Sequence, residues 1–217
     1  MISQNNFDSL RKELEGELFV DETMRRLYAT DASAYREMPV AVVIPKNDND
    51  LVKLIHFAKA NRTSLIPRAG GTSLAGQVVG GGIVVDISKH FNKVYEINTK
   101  EKYVWVQPGI VRDDLNQVLK PHGFFFAPET STANRAMIGG MIGNNSCGSN
   151  SVVYGSTREH LLEVKAILSD GSFVSFGDVD LDSETQATRS PSATVCNPRR
   201  PGDPVREGAR RCASRSP

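Results

Sequence analysis

Two clusters of glycine are the part of this sequence best suited to chemistry. The first reads Pro67-Arg68-Ala69-Gly70-Gly71-Thr72-Ser73-Leu74-Ala75-Gly76-Gln77. The second opens with Pro128-Glu129-Thr130 and continues as Ile138-Gly139-Gly140-Met141-Ile142-Gly143-Asn144-Asn145-Ser146-Cys147-Gly148. Glycine tolerates positive φ and lets backbone amides approach a ligand with no Cβ in the way. Successive N–H groups pointing into one concavity make an anion site, to which the hydroxyls of Thr72 and Ser73 add donors. Such loops suit a pyrophosphate. Ordinary turns at a domain edge are the bland alternative, and the presence of two separated loops weakens it.

Common nucleotide motifs do not match. Gly71 and Gly76 have the spacing of a Walker A loop, but Gln77 and Val78 stand where that loop needs Lys and Ser or Thr. Neither cluster reads G-x-G-x-x-G, and the first leads to Gln77 and further glycines instead of a helix, which disfavours a Rossmann site. Other reactive side chains are sparse. His56 belongs to an amphipathic helix, and His90 and His122 to loop or helix ends. His160, just past the second cluster, is the one histidine with a prospect of approaching a ligand. Arg68 and Arg135 flank the loops and could meet phosphate or backbone carbonyls. Phe124-Phe125-Phe126 and Trp105 read as core and strand. Cys147, Cys196 and Cys212 lack metal-ligand spacing and a disulfide framework, and Cys147 reads as a small, partly buried loop residue. No paired carboxylates, Ser-His-Asp set or metal cluster is discernible, so catalytic residues are unassigned and no metal is expected.

The elements that position these loops read as mixed α+β. Helices are expected near Asp8 to Glu15, the first residue acting as cap, and from Asp21 through Leu27. Ala41-Val42-Val43-Ile44 is a buried strand. Asp48 or Asn49 starts a helix with Leu51, Leu54, Ile55 and Ala58 on one face, and Ser64 to Pro67 returns as a strand that delivers the first loop. Strands follow at Ile83–Ile87, Val94–Ile97 and Tyr103–Val106, then a helix face at Val111, Leu115, Val118 and Leu119. A hairpin pairs Val164–Leu168 with Phe173–Phe176 around Asp170-Gly171. The expected division is a helical lead-in over 1–34, two lobes at about 35–92 and 93–178, and a tail over 179–217.

Composition bounds the function classes. With 26 basic against 25 acidic residues the formal charge is +1, which gives no sign of a nucleic-acid or anionic-membrane binder. No apolar run approaches the roughly 20 residues of a membrane span, and the first residues lack a secretory pattern. A cytoplasmic protein is expected. Every Lys and every aromatic lies before Asp178; beyond it Arg is the only basic type and Pro, Ser and Ala crowd in. Disorder is expected in that tail.

Taken in order, Ala41-Val42-Val43-Ile44-Pro45, Pro67 to Ser73, Gln107-Pro108-Gly109, Pro128-Glu129-Thr130 and Ile138-Gly139-Gly140 through Gly148 resemble the FAD-binding (PCMH-type) domain of the vanillyl-alcohol oxidase flavoprotein family. The resemblance spans about Tyr35 to Gly177 and is closest to the branch of D-lactate dehydrogenases and the glycolate oxidase FAD subunit. It implies FAD extended between two α+β lobes. By position, the pyrophosphate would meet Pro67, Arg68, Ala69, Gly70, Gly71, Thr72 and Ser73, with Gly76 nearby. Pro128, Glu129, Thr130, Ile138, Gly139, Gly140, Gly143, Asn144 and Gly148 would follow the rest of the cofactor, Asn144 closest to the flavin ring. Members with a covalent tether carry His after R-x-G-G, where this chain has Thr72, or a Cys ahead of the paired glycines, where it has Ser131 to Asn134. FAD is therefore expected to be non-covalent.

The resemblance further implies an FAD-dependent oxidoreductase acting on a small 2-hydroxy acid such as D-lactate or glycolate, passing electrons to an iron-sulfur, cytochrome or quinone partner and peripheral to a membrane at most. The family's general base and substrate-binding residues belong to a cap domain for which this chain has no room. Its pattern should also continue past the Asp170-Gly171 hairpin, so a truncation or change of reading frame is expected near 178–184. The chain alone is accordingly expected to be inactive. A non-catalytic or accessory FAD-binding module, and a reductase of a cell-wall sugar nucleotide, are the alternatives.

Overall fold

The computed structural model of the chain describes residues 2–177 and 193–196. Its first half is organised by two short, almost wholly apolar strands, β2 (Ala41–Ile44) and β4 (Ile83–Asp86), each buried along its full length. Before them come α1 (Gln4–Glu13), β1 (Glu17–Phe19) and α2 (Glu22–Leu27); between them lie α3 (Asp48–Ala60) and β3 (Leu65–Arg68). The sheet order is β1-β2-β4-β3, with β2, β4 and β3 parallel and β1 antiparallel at the edge. The helix and strand after β2 therefore pass over a position that β4 fills later. Parallel strands need both faces covered, which explains the unbroken apolar runs. Phe7, Leu10 and Leu14 of the N-terminal segment close one side with Leu54 of α3.

The buried carboxylate of Asp50 ties these elements together. Fully enclosed in the first turn of α3, it accepts the amides of Glu15 at 3.0 Å and of Gly16 and Lys46 at 2.9 Å. Asn47 caps the same helix by accepting the Asp50 amide at 3.0 Å.

The second half is built on an antiparallel sheet of β5 (Val94–Asn98), β6 (Tyr103–Val106), β7 (Leu161–Ile167), β8 (Phe173–Gly177) and β9 (Ala193–Cys196), in the order β5-β6-β9-β7-β8. Between β6 and β7 run α4 (Arg112–Leu119), α5 (Ile138–Gly143) and α6 (Ser151–Tyr154). Val104, Val106, Leu115, Phe126, Ile138 and Met141 form its core.

The architecture is the expected α+β, and most elements fall within a residue or two of their expected places. Four differences stand out. The first helix starts earlier, with Ser3 as its cap in place of Asp8, accepting the Asn6 amide at 3.3 Å. The lead-in contributes a strand, β1, as well as helices. The second glycine cluster contains helix, α5, because Ile138 and Met141 are fully buried and packing outweighs glycine's poor propensity. Finally, Ala193–Cys196 runs as β9 within the stretch expected to be tail; the remainder of that expectation lies outside the described residues.

Candidate cofactor site

A cleft of about 1470 Å³ opens where β3 ends, walled on one side by the first glycine loop and on the other by Thr130–Thr132, α5 and the turn after it. Of the sequence-derived candidates, Pro67, Arg68, Ala69, Gly70, Gly71, Thr72, Ser73, Thr130, Gly139, Gly140, Gly143 and Asn144 line it. Gly76, Pro128, Glu129, Ile138 and Gly148 do not. Ile138 is wholly buried in the second core, and Gly76 lies against the ring of Tyr35. Pro128 is buried, and its carbonyl accepts Arg112 Nε at 3.2 Å. A Cβ on Gly148 would overlap the Glu129 carbonyl, so these two residues pack on each other outside the lining.

Among the described residues, the first loop carries a run of amides without protein partners: those of Gly70, Gly71, Thr72 and Ser73 donate to no protein acceptor. The Thr72 hydroxyl lines the cleft with them, whereas the Ser73 hydroxyl donates to Gln77 Oε1. Arg68 lines the cleft and is held from behind. Its Nη1 donates to the Thr30 carbonyl at 2.7 Å, and its guanidinium lies over the Tyr28 ring at 5.2 Å. Gly71 takes φ +62°, and a Cβ there would sit 2.5 Å from Arg68 Nη2. Glycine is favoured at this position, because any other residue would take a strained φ and have to displace the guanidinium.

Two groups behind the loop are electrostatically perturbed. Burial, the hydrogen bond from its hydroxyl to Asp86 Oδ2 at 2.6 Å and the Asp86 charge all raise the ionisation of Tyr28 far above its ordinary value, and the Arg68 charge only partly offsets them. Burial alone would raise the Asp31 carboxyl. The Ser33 hydroxyl and amide, the Ser73 hydroxyl and the Arg68 charge outweigh it and hold that carboxyl below its usual range. Asp31 Oδ2 is buried without a hydrogen-bond partner among the described residues.

The glycines of the two clusters serve more for close packing than for exposure. A Cβ on Gly70 would overlap the Arg135 carbonyl, and one on Gly139 would lie 2.5 Å from Pro108 Cβ. These positions let the second stretch close on the first loop and on Gln107-Pro108-Gly109. Gly143 differs, because nothing lies within 4 Å of the space its Cβ would take. The loops are further joined by Gln77 Nε2, which donates to Asn144 Oδ1 at 2.9 Å, while Asn144 Nδ2 donates to Ser146 Oγ at 3.3 Å.

Several lining residues escaped the sequence reading. Gln77, Met137, Ser146 and Cys147 line the cleft, and Cys147 is exposed, not partly buried. Leu51 and Ile55 of α3 and the β7–β8 turn, Ile167 to Asp170, extend it into an apolar compartment. The helix face and the turn were legible separately; their approach, with Gly171 against His56, was not. His160 takes no part: it is buried, its Nε2 bonds the Tyr154 carbonyl at 2.6 Å, and its ring meets Phe126 edge-on. Among the described lining residues the titratable side chains are Lys59, Arg68, Asp170 and Cys147. The cleft is therefore rich in amide and hydroxyl donors and poor in groups that could take a proton at neutral pH.

Comparison with known proteins agrees with this description. A family model described as FAD binding domain matches residues 39–177. D-2-hydroxyglutarate dehydrogenase of Pseudomonas putida is 42% identical over 179 residues, covering 81% of this chain and 18% of that protein. Glycolate oxidase subunit GlcD of Bacillus subtilis is 31% identical over 181 residues, covering 82% of this chain and 38% of its own length. The chain thus spans well under half of these relatives. Among solved structures, an alkyldihydroxyacetonephosphate synthase superposes with a TM-score of 0.76 at 18% identity, over 91% of this chain and 44% of the other, a likeness of fold.

FAD fits the cleft. The run of four amides without protein acceptors provides for a pyrophosphate. The volume exceeds the roughly 300–1,000 Å³ of clefts for drug-sized ligands, as an extended dinucleotide requires. Thr72 stands where a covalent tether would need His, in keeping with non-covalent binding.

Proposed function

The chain belongs to the FAD binding domain family, and from that premise we propose that it is the cofactor-holding part of an FAD-linked dehydrogenase of small 2-hydroxy acids, in the class of D-2-hydroxyglutarate, D-lactate and glycolate. The observation that carries the reading is the row of donors at Gly70–Ser73 facing Thr130, Gly140 and Asn144 across a cleft of dinucleotide size. Bound FAD would supply the hydride acceptor. The chain's own residues would orient the cofactor and exclude water: the amides from Gly70 to Ser73 and the Thr72 hydroxyl would donate to the pyrophosphate without a metal ligand or a Walker lysine, and Thr130 and Asn144 would hold the opposite edge. Gly76, Pro128, Glu129, Ile138 and Gly148 support the same site from outside the lining, by packing. Electrons would leave to a quinone, cytochrome or iron-sulfur partner. No helix among the described residues is long and apolar enough to cross a membrane, which suits a cytoplasmic or peripheral setting.

A second reading, an accessory module that binds FAD without turnover, is favoured by the lining itself. Among the described residues no histidine or glutamate faces the cleft, and its one carboxylate, Asp170, sits in the β7–β8 turn beyond the two glycine stretches. One experiment addresses both readings. The purified chain is expected to bind FAD with a resolved flavin spectrum and to release it on denaturation. Anaerobic D-lactate, glycolate or D-2-hydroxyglutarate should leave the spectrum unbleached. Failure to take up added FAD would refute the cofactor role, and bleaching by one of the acids would refute the accessory reading.

A further inference from the structure

Both positive-φ glycines of the first loop depend on residues upstream of the family-matched region 39–177, Gly76 directly through Tyr35 and Gly71 through Arg68, which those residues hold. Behind Gly71 stands the Arg68 guanidinium, and that guanidinium is held from the lead-in, by the Thr30 carbonyl at 2.7 Å and the Tyr28 ring at 5.2 Å. Tyr28 is anchored in turn by its hydroxyl on the buried Asp86 at the end of β4. Behind Gly76 stands the ring of Tyr35, 2.8 Å from where a Cβ would be. The connecting residues are themselves fixed. Thr30 and Arg36 form an antiparallel bridge, the Glu37 amide donates to the Ala29 carbonyl at 3.0 Å, and Ala32 lines the cleft.

We propose that the segment Tyr28–Tyr35 is a positioning wall of the cofactor site, holding Gly71 and Gly76 in left-handed backbone conformations through Arg68 and Tyr35, so that the amides of Gly70 to Ser73 converge on one anionic group. The inference rests on the proposed FAD site and adds to it residues that neither the glycine pattern nor the family match includes. Its physical basis is preorganisation. A glycine-rich loop that must order on binding loses affinity to conformational entropy, and a wall that orders it beforehand removes that cost. Arg68 suits the task because its planar guanidinium can stack on Tyr28 while donating to a carbonyl, which an ammonium cannot reproduce. No residue of the wall needs to touch the cofactor.

The test compares the full chain with Tyr28→Leu, Tyr28→Phe, Arg68→Lys and Tyr35→Ala. FAD affinity is read from quenching of flavin fluorescence, and the melting temperature is taken without FAD. Tyr28→Leu and Arg68→Lys are expected to weaken FAD by about tenfold or more while melting within a few degrees of the parent. Tyr28→Phe keeps the ring under the guanidinium and should stay within about threefold of the parent. Affinities within about twofold of the parent for Tyr28→Leu and Arg68→Lys overturn the wall, as does a loss of binding that merely follows a loss of stability. Should the Tyr28 and Arg68 variants fail to fold, Tyr35→Ala decides, since its side chain is exposed. It should weaken FAD by about threefold or more, and unchanged affinity overturns the proposal. A parent that binds no FAD removes the site itself, an outcome distinct from a parent that binds while the variants bind equally well.

Discussion

Gln77 donates from Nε2 to Asn144 Oδ1 at 2.9 Å, so the residue ending the first glycine loop grips the C-cap of α5 across 67 positions of sequence. Both side chains are exposed, and a neutral hydrogen bond in such a setting contributes about 1 kcal/mol or less to folding. Its larger effect should be on the cleft, which both residues line. Gln77→Ala is expected to leave the urea midpoint nearly unchanged while speeding FAD release in a displacement experiment. A large fall in stability with unchanged release would make the tie a feature of folding and not of the cleft.

The glycines separate into two kinds that alanine should distinguish. At Gly70 a Cβ meets the Arg135 carbonyl, backbone that cannot move aside cheaply, so Gly70→Ala should lower stability by about 1–3 kcal/mol and weaken FAD together. At Gly143 a Cβ meets nothing within 4 Å and the residue is helical, so Gly143→Ala should hold or raise stability by up to about 1 kcal/mol. It still places a methyl group at the cleft lining, and FAD affinity should fall. Thermal melts without FAD and titrations with it separate the two; parallel behaviour of the variants would contradict the division.

How much of this was legible in the sequence follows from the range of the forces involved. The runs Ala41–Ile44 and Tyr103–Val106 reveal themselves by local composition, and the loop at Pro67–Ser73 by its glycines following a strand. β1 is three residues long and gains its place only from pairing with Ile44, Val43 and Val42. α5 reads as loop because three of its six residues are glycine, and becomes helix through the burial of Ile138 and Met141. β9 is four residues in a stretch rich in Ser, Pro and Arg, with pairing partners in β6 and β7 that are distant in sequence. Arg68 was recognised as a candidate, but the carbonyl it meets, that of Thr30, lies 38 positions away.

Asp50 sets a second stability test, outside the cleft. Its fully enclosed carboxylate accepts three backbone amides from two separate turns, and Asp50→Ala would take the acceptor from all three. A donor left unpaired and buried costs about 1–3 kcal/mol and one that water can reach costs less, so the total loss should be about 1–3 kcal/mol. Asp50→Asn offers one acceptor oxygen in place of two and should fall between the parent and the alanine variant. Chemical denaturation of the three proteins checks the order, and an alanine variant as stable as the parent would show that the turns find other acceptors.

Tyr28 predicts a distinctive alkaline limb. Its burial, its hydrogen bond to Asp86 and the Asp86 charge hold the folded-state ionisation above the ordinary value of 10.0, so the hydroxyl remains protonated in the folded protein when exposed tyrosines have ionised. The sign follows from linkage. A group whose ionisation is raised on folding contributes stability that is fully present below its unfolded value and is lost as pH rises beyond it, because the unfolded chain gains by releasing the proton. Stability should therefore decline above about pH 10, and a near-ultraviolet titration should show one of the five tyrosines resisting ionisation until the protein unfolds. In Tyr28→Phe the delayed step should be lost. Five phenols titrating together near the ordinary value, with the fold intact, would mean that Tyr28 is more open to water than its contact with Asp86 implies.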